Sequence, residues 1–376
     1  QEILPVAQNP PVHADDSQPY AVEAHLVAVG DIMMHMPQIQ AGYDVTTDTY
    51  SYDHFFDPVQ HILAEGDWVI ANLETTLAGA ERKYSGYPLF NAPDELADAL
   101  KKAGFNIITT ANNHSLDRNE QGVLRTLATL RSRGLIPVGT HASREEAKEI
   151  TIVSKQGIHM AVLAYTYGTN GIPIPKGKEY LVNLLDVQKI AEDIQKAREK
   201  GADIVTVALH MGPREYHRQP DESQRQIVNA VIDAGADIIL GGHPHVVQPY
   251  FLFAKEADEQ GGEEKKGAGI YSLGNFISAQ VNDYKDYGVI FKVTVKKHFP
   301  SGITEISEVE TVPTYVHRYA HNGRKNYRVL PLEEVLNERS DPLLSEQDYA
   351  VFANKLDEMN RHLQSLLVPV DTLPSR

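Results

Sequence analysis

His25-Leu26-Val27-Ala28-Val29-Gly30-Asp31 is a short apolar run, too brief for a buried helix, that ends on glycine and a carboxylate. Such a run reads as a buried strand, and its habit recurs along the chain. Trp68–Asn72 leads into Glu74, Asn106–Ala111 into Asn113 and His114, Ile204–Leu209 into His210, and Ile238–Leu240 into Gly241, Gly242 and His243. Polar, ligand-type residues therefore follow the carboxyl ends of five apolar strands, where α/β sheets build their sites. Between the strands lie amphipathic helical patterns at Pro93–Ala103, Asn119–Arg133, Asp186–Lys200 and Asp221–Ala234. Alternation of this kind predicts an α/β fold.

After Pro249 strands continue without helices, at Tyr250–Ala254, Gly269–Leu273, Gly288–Val295 and Ile303–Val312. They predict a second, largely antiparallel sheet packed on the first. The polar insert Lys255–Gly267 reads as an exposed hairpin loop. Thr314–Ala320 and Lys325–Leu330, flanking His321-Asn322-Gly323, form a further hairpin signal, and a final helix is expected near Ser345–Leu367. Gln1–Ala24 has no Lys or Arg and carries Pro5, Pro10, Pro11 and Pro19. It reads as a solvated linker, left by a removed signal or membrane anchor or simply an ordinary terminus. The expected organisation is thus a linker over 1–24, a main domain over 25–312 and a hairpin-and-helix extension over 313–376.

Composition narrows the chemistry. The 376 residues include no cysteine, so disulfides and thiolate-held metals are excluded, and any metal must sit on oxygen and imidazole nitrogen. The formal charge of −16 argues against nucleic acid or anionic lipid as a general partner. No apolar run is long enough to span a bilayer.

Gly241-Gly242-His243-Pro244-His245 is the sharpest local signal, because two glycines let the backbone approach closely while two imidazoles address one place. Asp31, Glu74 and Asn113 each have a structural alternative, Asp31 in a turn, Glu74 capping a turn, and Asn112-Asn113 as an Asx turn with Asp117 as the cap of the next helix, while His210 adds a further imidazole at a strand end. Taken together they have the donor types of a site for one or two divalent cations. Paired cations about 3.5–4 Å apart activate water and clamp the oxygens of an in-line displacement. Manganese, zinc or iron would suit such mixed donors.

In this order, Gly30-Asp31-Ile32-Met33-Met34, Asn72-Leu73-Glu74, Ala111-Asn112-Asn113-His114-Ser115-Leu116-Asp117, Ala234-Gly235-Ala236-Asp237-Ile238-Ile239, Gly242-His243-Pro244-His245 and Tyr271-Ser272-Leu273-Gly274-Asn275-Phe276 resemble the calcineurin-like metallophosphoesterases. The resemblance is closer to the bacterial poly-gamma-glutamate capsule-synthesis proteins of CapA and PgsA type, over about His25 to Val295. It implies a four-layer metallophosphoesterase-like sandwich, with two mixed β-sheets flanked by helices. It also implies that Asp31 and His245 bind a first metal, that Glu74 bridges, and that Asn113, His210 and His243 bind a second. His114 would then stabilise charge on the substrate or protonate the leaving group. Met33 stands where phosphoesterases carry a histidine ligand, with His35 as a conceivable substitute, and Glu74 stands where they carry Asp.

His210-Met211-Gly212-Pro213-Arg214-Glu215-Tyr216 also has a counterpart in the capsule proteins. Glu215 there is an acid/base candidate and Arg214 a holder of anionic substrate, with solvated loop residues as the alternative. The implied function is that of an extracytoplasmic, metal-dependent hydrolase-like protein. It would act on poly-gamma-glutamate or another anionic substrate, beside membrane-bound polymer synthase subunits. Alternatives are a non-catalytic metal- or polymer-binding scaffold, with His317, Arg318, His321, Arg324, Lys325 and Arg328 as a polyanion surface, or a general phosphodiesterase.

Overall fold

A computed structural model describes residues 18–255, 265–321 and 323–367. The first sheet starts with β1 (Tyr20–Ile32), which sets in ahead of the strand read from sequence. After α1 (Met36–Ala41), the small hairpin β2 (Tyr43–Asp44) and β3 (Thr49–Tyr50), and α2 (Gln60–Leu63), the chain returns as β4 (Trp68–Leu73). Helix α3 (Glu95–Ala103), β5 (Ile107–Thr109), α4 (Asn119–Ser132) and β6 (Ile136–Val138) follow. The chain then moves to a second sheet with β7 (Thr151–Lys155), β8 (Ile158–Thr166), α5 (Val187–Glu199), β9 (Ile204–His210), α6 (Glu222–Asp233), β10 (Ile238–Gly242), β11 (Val247–Lys255) and β12 (Lys265–Leu273). It returns to the first sheet with β13 (Asn275–Ile277), β14 (Tyr287–Phe299), β15 (Thr304–His321) and β16 (Arg324–Pro331), and ends on α7 (Leu332–Glu338) and α8 (Glu346–Leu363).

The first sheet runs β16-β15-β14-β1-β4-β5-β6, with β13 also on β1, and the second runs β11-β12-β10-β9-β8-β7. Both are mixed. In the first, β1, β4, β5 and β6 are parallel while β14 to β16 are antiparallel. In the second, β8, β9, β10 and β12 are parallel and the edge strands β7 and β11 antiparallel. This corrects the expectation of a separate, largely antiparallel second sheet. The strand-end motifs are divided between the sheets, and the strands after Pro249 join both. The reason lies in coverage: a fully parallel sheet needs helices on both faces, whereas here each sheet covers one face of the other.

Alternating burial shows the layers. Leu26, Ala28, Trp68 and Ile70 of the first sheet share one core with Met160, Val162, Ile204, Ile238 and Ile270 of the second. Their sequence neighbours Val27, Val29, Val69 and Ala71 face outward into a core with Leu96, Leu100 and Phe105 around α3. On the far side, Val205, Val207 and Ile239 pack against Ile190 and Ile194 of α5 and Val228 and Val231 of α6. The result is helices, sheet, sheet, helices, the four-layer sandwich with two mixed sheets that the motifs implied. Each wholly buried aliphatic side chain in it contributes about 1.5–3 kcal/mol.

The helices begin where capping chemistry places them. Asp186 caps α5 through Gln188 N, and Asp221 forms a capping box with Gln224 at α6. The expected helix starts at Asp186 and Asp221 are therefore the caps themselves. Strands β6, β7 and β8 were not read from sequence; β7 and β8 form a hairpin whose turn residues Gln156 and Gly157 both have positive φ. The expected hairpin of 314–330 forms as β15 and β16, with Ala320 opposite Lys325. Residues 1–17 of the proposed linker and 256–264 of the proposed insert lie outside the described residues, although β11 and β12 pair up to Lys255 and Lys265. Among the described residues no helix is long and apolar enough to cross a membrane.

Candidate metal centre

Asp31 is the last residue but one of β1, Glu74 directly follows β4, and Asn113 and His114 lie on the turn after β5. From the opposing sheet come His210, the last residue of β9, and His243 and His245, just past β10. All seven side chains are buried. They meet at one end of the sandwich. Glu74 Oε1 lies 3.6 Å from His210 Nε2 and 3.7 Å from His245 Nε2, and His210 Nε2 lies 2.8 Å from Asn113 Oδ1. His245 Nδ1 is within 3.1 Å of both Asp31 Oδ2 and Asn275 Oδ1. Two acceptors on Nδ1 put the proton there, so His245 turns its Nε2 lone pair toward Glu74.

The backbone is shaped for this convergence. At Gly241 a Cβ would come within 1.9 Å of the Tyr271 carbonyl oxygen, and at Gly242 within 3.3 Å of Asp31 Oδ1, so the two glycines keep the sheet closed and the site clear. His243 and His245 then adopt φ of 95° and 59°, a left-handed backbone that side-chain-bearing residues enter only at a cost of about 1–3 kcal/mol.

Two donor groups result. Asp31, Glu74 and His210 place one ligand atom each within 4.8 Å of one another, and Glu215, His243 and His245 do the same. Burial would raise the Asp31 carboxyl, but the hydrogen bond and charge of His245, then His210 and the Asn72 amide, hold it at about 2. Burial, followed by the neighbouring Asp31, pushes Glu74 well above the usual carboxylate range. Burial lowers His210 well below its ordinary value, and burial followed by His245 brings His243 down to about 4. Burial thus favours the neutral form of His210 and His243, the form in which imidazole binds metal.

The residues fit a divalent cation on three observations. Glu74 Oε1 and His243 Nδ1 are buried without a hydrogen-bond partner, which costs folding energy unless a ligand satisfies them. No Lys or Arg side chain forms an ion pair with Asp31 or Glu74 among the described residues. A cavity of about 30 Å³, bordered by Asp31, Asn72, His210, Gly241 and Gly242, opens beneath them, enough for a water-sized guest.

His114 stands beside this set. Its Nδ1 is 2.7 Å from Asp117 Oδ2, which also accepts the Phe90 amide, and its Nε2 is 3.4 Å from Asn170 Nδ2. Asp117 is thus a partner of His114, and the cap reading fails: Arg118 is the N-cap of α4, no side chain caps that helix, and Asp117 Oδ1 is buried without a partner. Asn112 does form the expected Asx turn, accepting from the His114 amide at 3.1 Å. His35 belongs to neither donor group, since its Nδ1 is taken up by Gln38 Oε1 and the Ala279 amide. Met33 is buried and supplies no ligand. Glu215 and Arg214 are exposed on the loop after β9.

Asn72 was not singled out from sequence, yet it holds the centre together. Its Nδ2 donates to Asp31 Oδ1 at 2.7 Å and lies 3.4 Å from both Glu74 Oε2 and His210 Nδ1. Asn112 Nδ2 in turn donates to Asn72 Oδ1. Its place two residues before Glu74, on the same face of a strand, was the available signal. Three of the basic residues of the last hairpin already have partners. Arg318 pairs with Asp286, Arg328 with Asp341 and His317, and Arg324 with the Tyr43 carbonyl.

Residues 25–280 match the bacterial capsule synthesis protein PGA_cap. Over 264 residues the chain is 31% identical to the capsule biosynthesis protein CapA of Bacillus anthracis, covering 68% of this chain and 60% of that protein. It is likewise 31% identical over 266 residues to the PGA biosynthesis protein CapA of Bacillus subtilis strain 168, with 67% and 62% covered. The alignments thus span less than two thirds of these relatives' own length. Among solved structures, the calcineurin-like phosphoesterase YfkN of Bacillus subtilis covers 90% of this chain and 100% of its own at 15% identity and a TM-score of 0.41. The NAD nucleotidase of Haemophilus influenzae covers 91% and 61% at 11% identity and a TM-score of 0.45.

Proposed function

We infer the function of this chain from the family it belongs to, the bacterial capsule synthesis proteins of PGA_cap type, and from its buried donor set. It is an extracytoplasmic, metal-dependent hydrolase of poly-gamma-glutamate synthesis, export or processing. It acts on that polymer or another anionic substrate, alongside membrane-bound synthase subunits. The observation that carries the catalytic half is the unpartnered Glu74 Oε1, buried between His210 and His245 from the facing sheet.

Asp31, Glu74, Asn113, His210, His243 and His245 would hold one or two ions of manganese, zinc or iron. A bound ion supplies Lewis-acid polarisation and water activation. The chain's own side chains do the rest. Asn72 fixes the Asp31 carboxylate, and Asp117 holds the His114 ring with its proton on Nδ1. His114 Nε2 is thereby presented toward the open side, where it can accept a hydrogen bond or, once protonated, deliver a proton to a leaving oxygen or nitrogen.

The buried thioether at Met33 supports a second reading, a scaffold that keeps the site for binding alone. Metal analysis of the purified protein, with assays on phosphodiester, phosphomonoester and gamma-glutamyl substrates, tests both. The hydrolase reading expects bound metal and turnover abolished by Glu74→Ala and His243→Ala. Bound metal without turnover on any of the three substrate classes leaves the scaffold, and absence of metal overturns the hydrolase reading and leaves only a polymer-binding scaffold.

A further inference from the structure

We propose that Glu215, carried by an exposed loop, is a metal ligand that completes with His243 and His245 a second, weaker cation site, and that the carboxy-terminal helix holds it there. The proposal rests on the metal-dependent reading above and deepens it by giving the second ion a ligand from outside the strand ends.

The Glu215 carboxylate and the two imidazoles bring their donor atoms within 4.8 Å of one another. His243 is 3% exposed and its Nδ1 has no hydrogen-bond partner, so one buried ring nitrogen of this group is left open to a ligand. The loop does not drift into this position. The Tyr216 amide donates to the Pro244 carbonyl between the two histidines at 2.8 Å, Tyr216 takes φ of 65°, and its ring lies 6.2 Å from that of His245. Beyond Tyr216, Gln248 Nε2 binds the His217 carbonyl at 2.8 Å.

The outer hold comes from α8. Arg218 Nη1 donates to Glu358 Oε1 at 2.7 Å, and its guanidinium stacks 3.7 Å from the Tyr284 ring centroid. Tyr284 and Lys355 bond the same Glu358 carboxylate, and His362 Nε2 reaches the Val247 carbonyl at 2.9 Å, just past His245. Helix α8 (Glu346–Leu363) lies beyond residues 25–280 that match the capsule family. The two donor groups should therefore differ in strength. Asp31, Glu74 and His210 are buried on strand ends and preorganised, whereas Glu215 must be kept in place by a latch, which lowers effective affinity.

Calorimetric titration of metal-stripped protein with Mn²⁺ tests this without reference to turnover. The wild type should bind two ions with separable affinities. Glu215→Gln should weaken the second at least tenfold and leave the first unchanged. Glu358→Gln should weaken the second several-fold, also sparing the first. Both side chains are at least partly exposed, so the fold should survive, and circular dichroism checks that. Two wild-type-like sites in Glu215→Gln, or a single ion in the wild type that Glu215→Gln leaves intact, overturns the proposal alone. A wild type that binds no ion overturns the metal-dependent reading itself.

Discussion

Replacing Glu74 by Gln separates the cost of an empty site from the gain of a filled one. The carboxylate is fully buried, Oε1 has no partner, and Asp31, also fully buried, lies close enough to raise Glu74 further. A neutral isostere removes that conflict, so metal-free Glu74→Gln should be more stable than metal-free wild type by about 1–2 kcal/mol. For a chain of 376 residues, an unfolding entropy of about 2.1 cal/mol/K per residue makes each 1 kcal/mol worth roughly 1.3 °C in Tm. The metal-free variant should therefore melt about 1–3 °C higher. Metal reverses the order of response. At a hundredfold excess over Kd, Mn²⁺ adds about 2.7 kcal/mol, or roughly 3–4 °C, to the wild type. If the amide weakens binding a hundredfold, the same Mn²⁺ adds only about 0.4 kcal/mol, or roughly half a degree. Scanning calorimetry of both proteins, with chelator and with Mn²⁺, reads all four values. A variant that shifts with Mn²⁺ as far as the wild type refutes Glu74 as a ligand, and one less stable without metal refutes the view that burying the Glu74 carboxyl is an uncompensated cost.

Gly242→Ala would put a methyl 3.3 Å from Asp31 Oδ1 and 3.5 Å from His210 Nδ1; titration should show Mn²⁺ affinity reduced about tenfold or more, with stability changed by only about 1 kcal/mol. Asp117→Asn should leave metal content intact while lowering turnover roughly a hundredfold, since it loosens the His114 proton rather than the ligand set. His317 is held at about 4 by burial and then by Arg328. Its folded value lies below the unfolded value of about 6.5, so the stability tied to its neutral form is complete above pH 6.5 or so and declines as pH falls toward 4. His317→Gln should cut the loss in urea-unfolding free energy between pH 7.5 and 4.5 by up to about 3 kcal/mol.

The convergence of the strand-end donors was legible because a buried strand must be apolar until it reaches such a place, so Asp31, Glu74, His210 and His243 announce themselves by ending apolar runs. Sheet membership was not legible. Leu26 and Val27 are equally apolar, yet one faces the opposing sheet and the other the α3 layer, and nothing in β1 itself records that β14 pairs with it from Tyr20 to Ala28. Asn72 was hidden for another reason: its value is relational, set by Asp31 and His210, which are distant in sequence. Asn170 likewise reaches His114 from a loop whose composition signals only a turn.

If the proposed cation binds, the division of its ligands between the sheets gives it a mechanical role as well as a chemical one. At the end of the sandwich away from the site, the sheets are tied by protein contacts alone: Trp68 Nε1 donates to the Val153 carbonyl at 2.9 Å, and Lys297 of β14 pairs with Asp203, just before β9, at 2.8 Å. At the site end, Asp31 and Glu74 of one sheet face His210, His243 and His245 of the other, and burial holds His210 and His243 neutral. Two buried carboxylates against neutral imidazoles give little net attraction. A divalent ion supplies the missing charge, and because its ligands come from both sheets, binding it must stabilise the packing of the sheets along with the site.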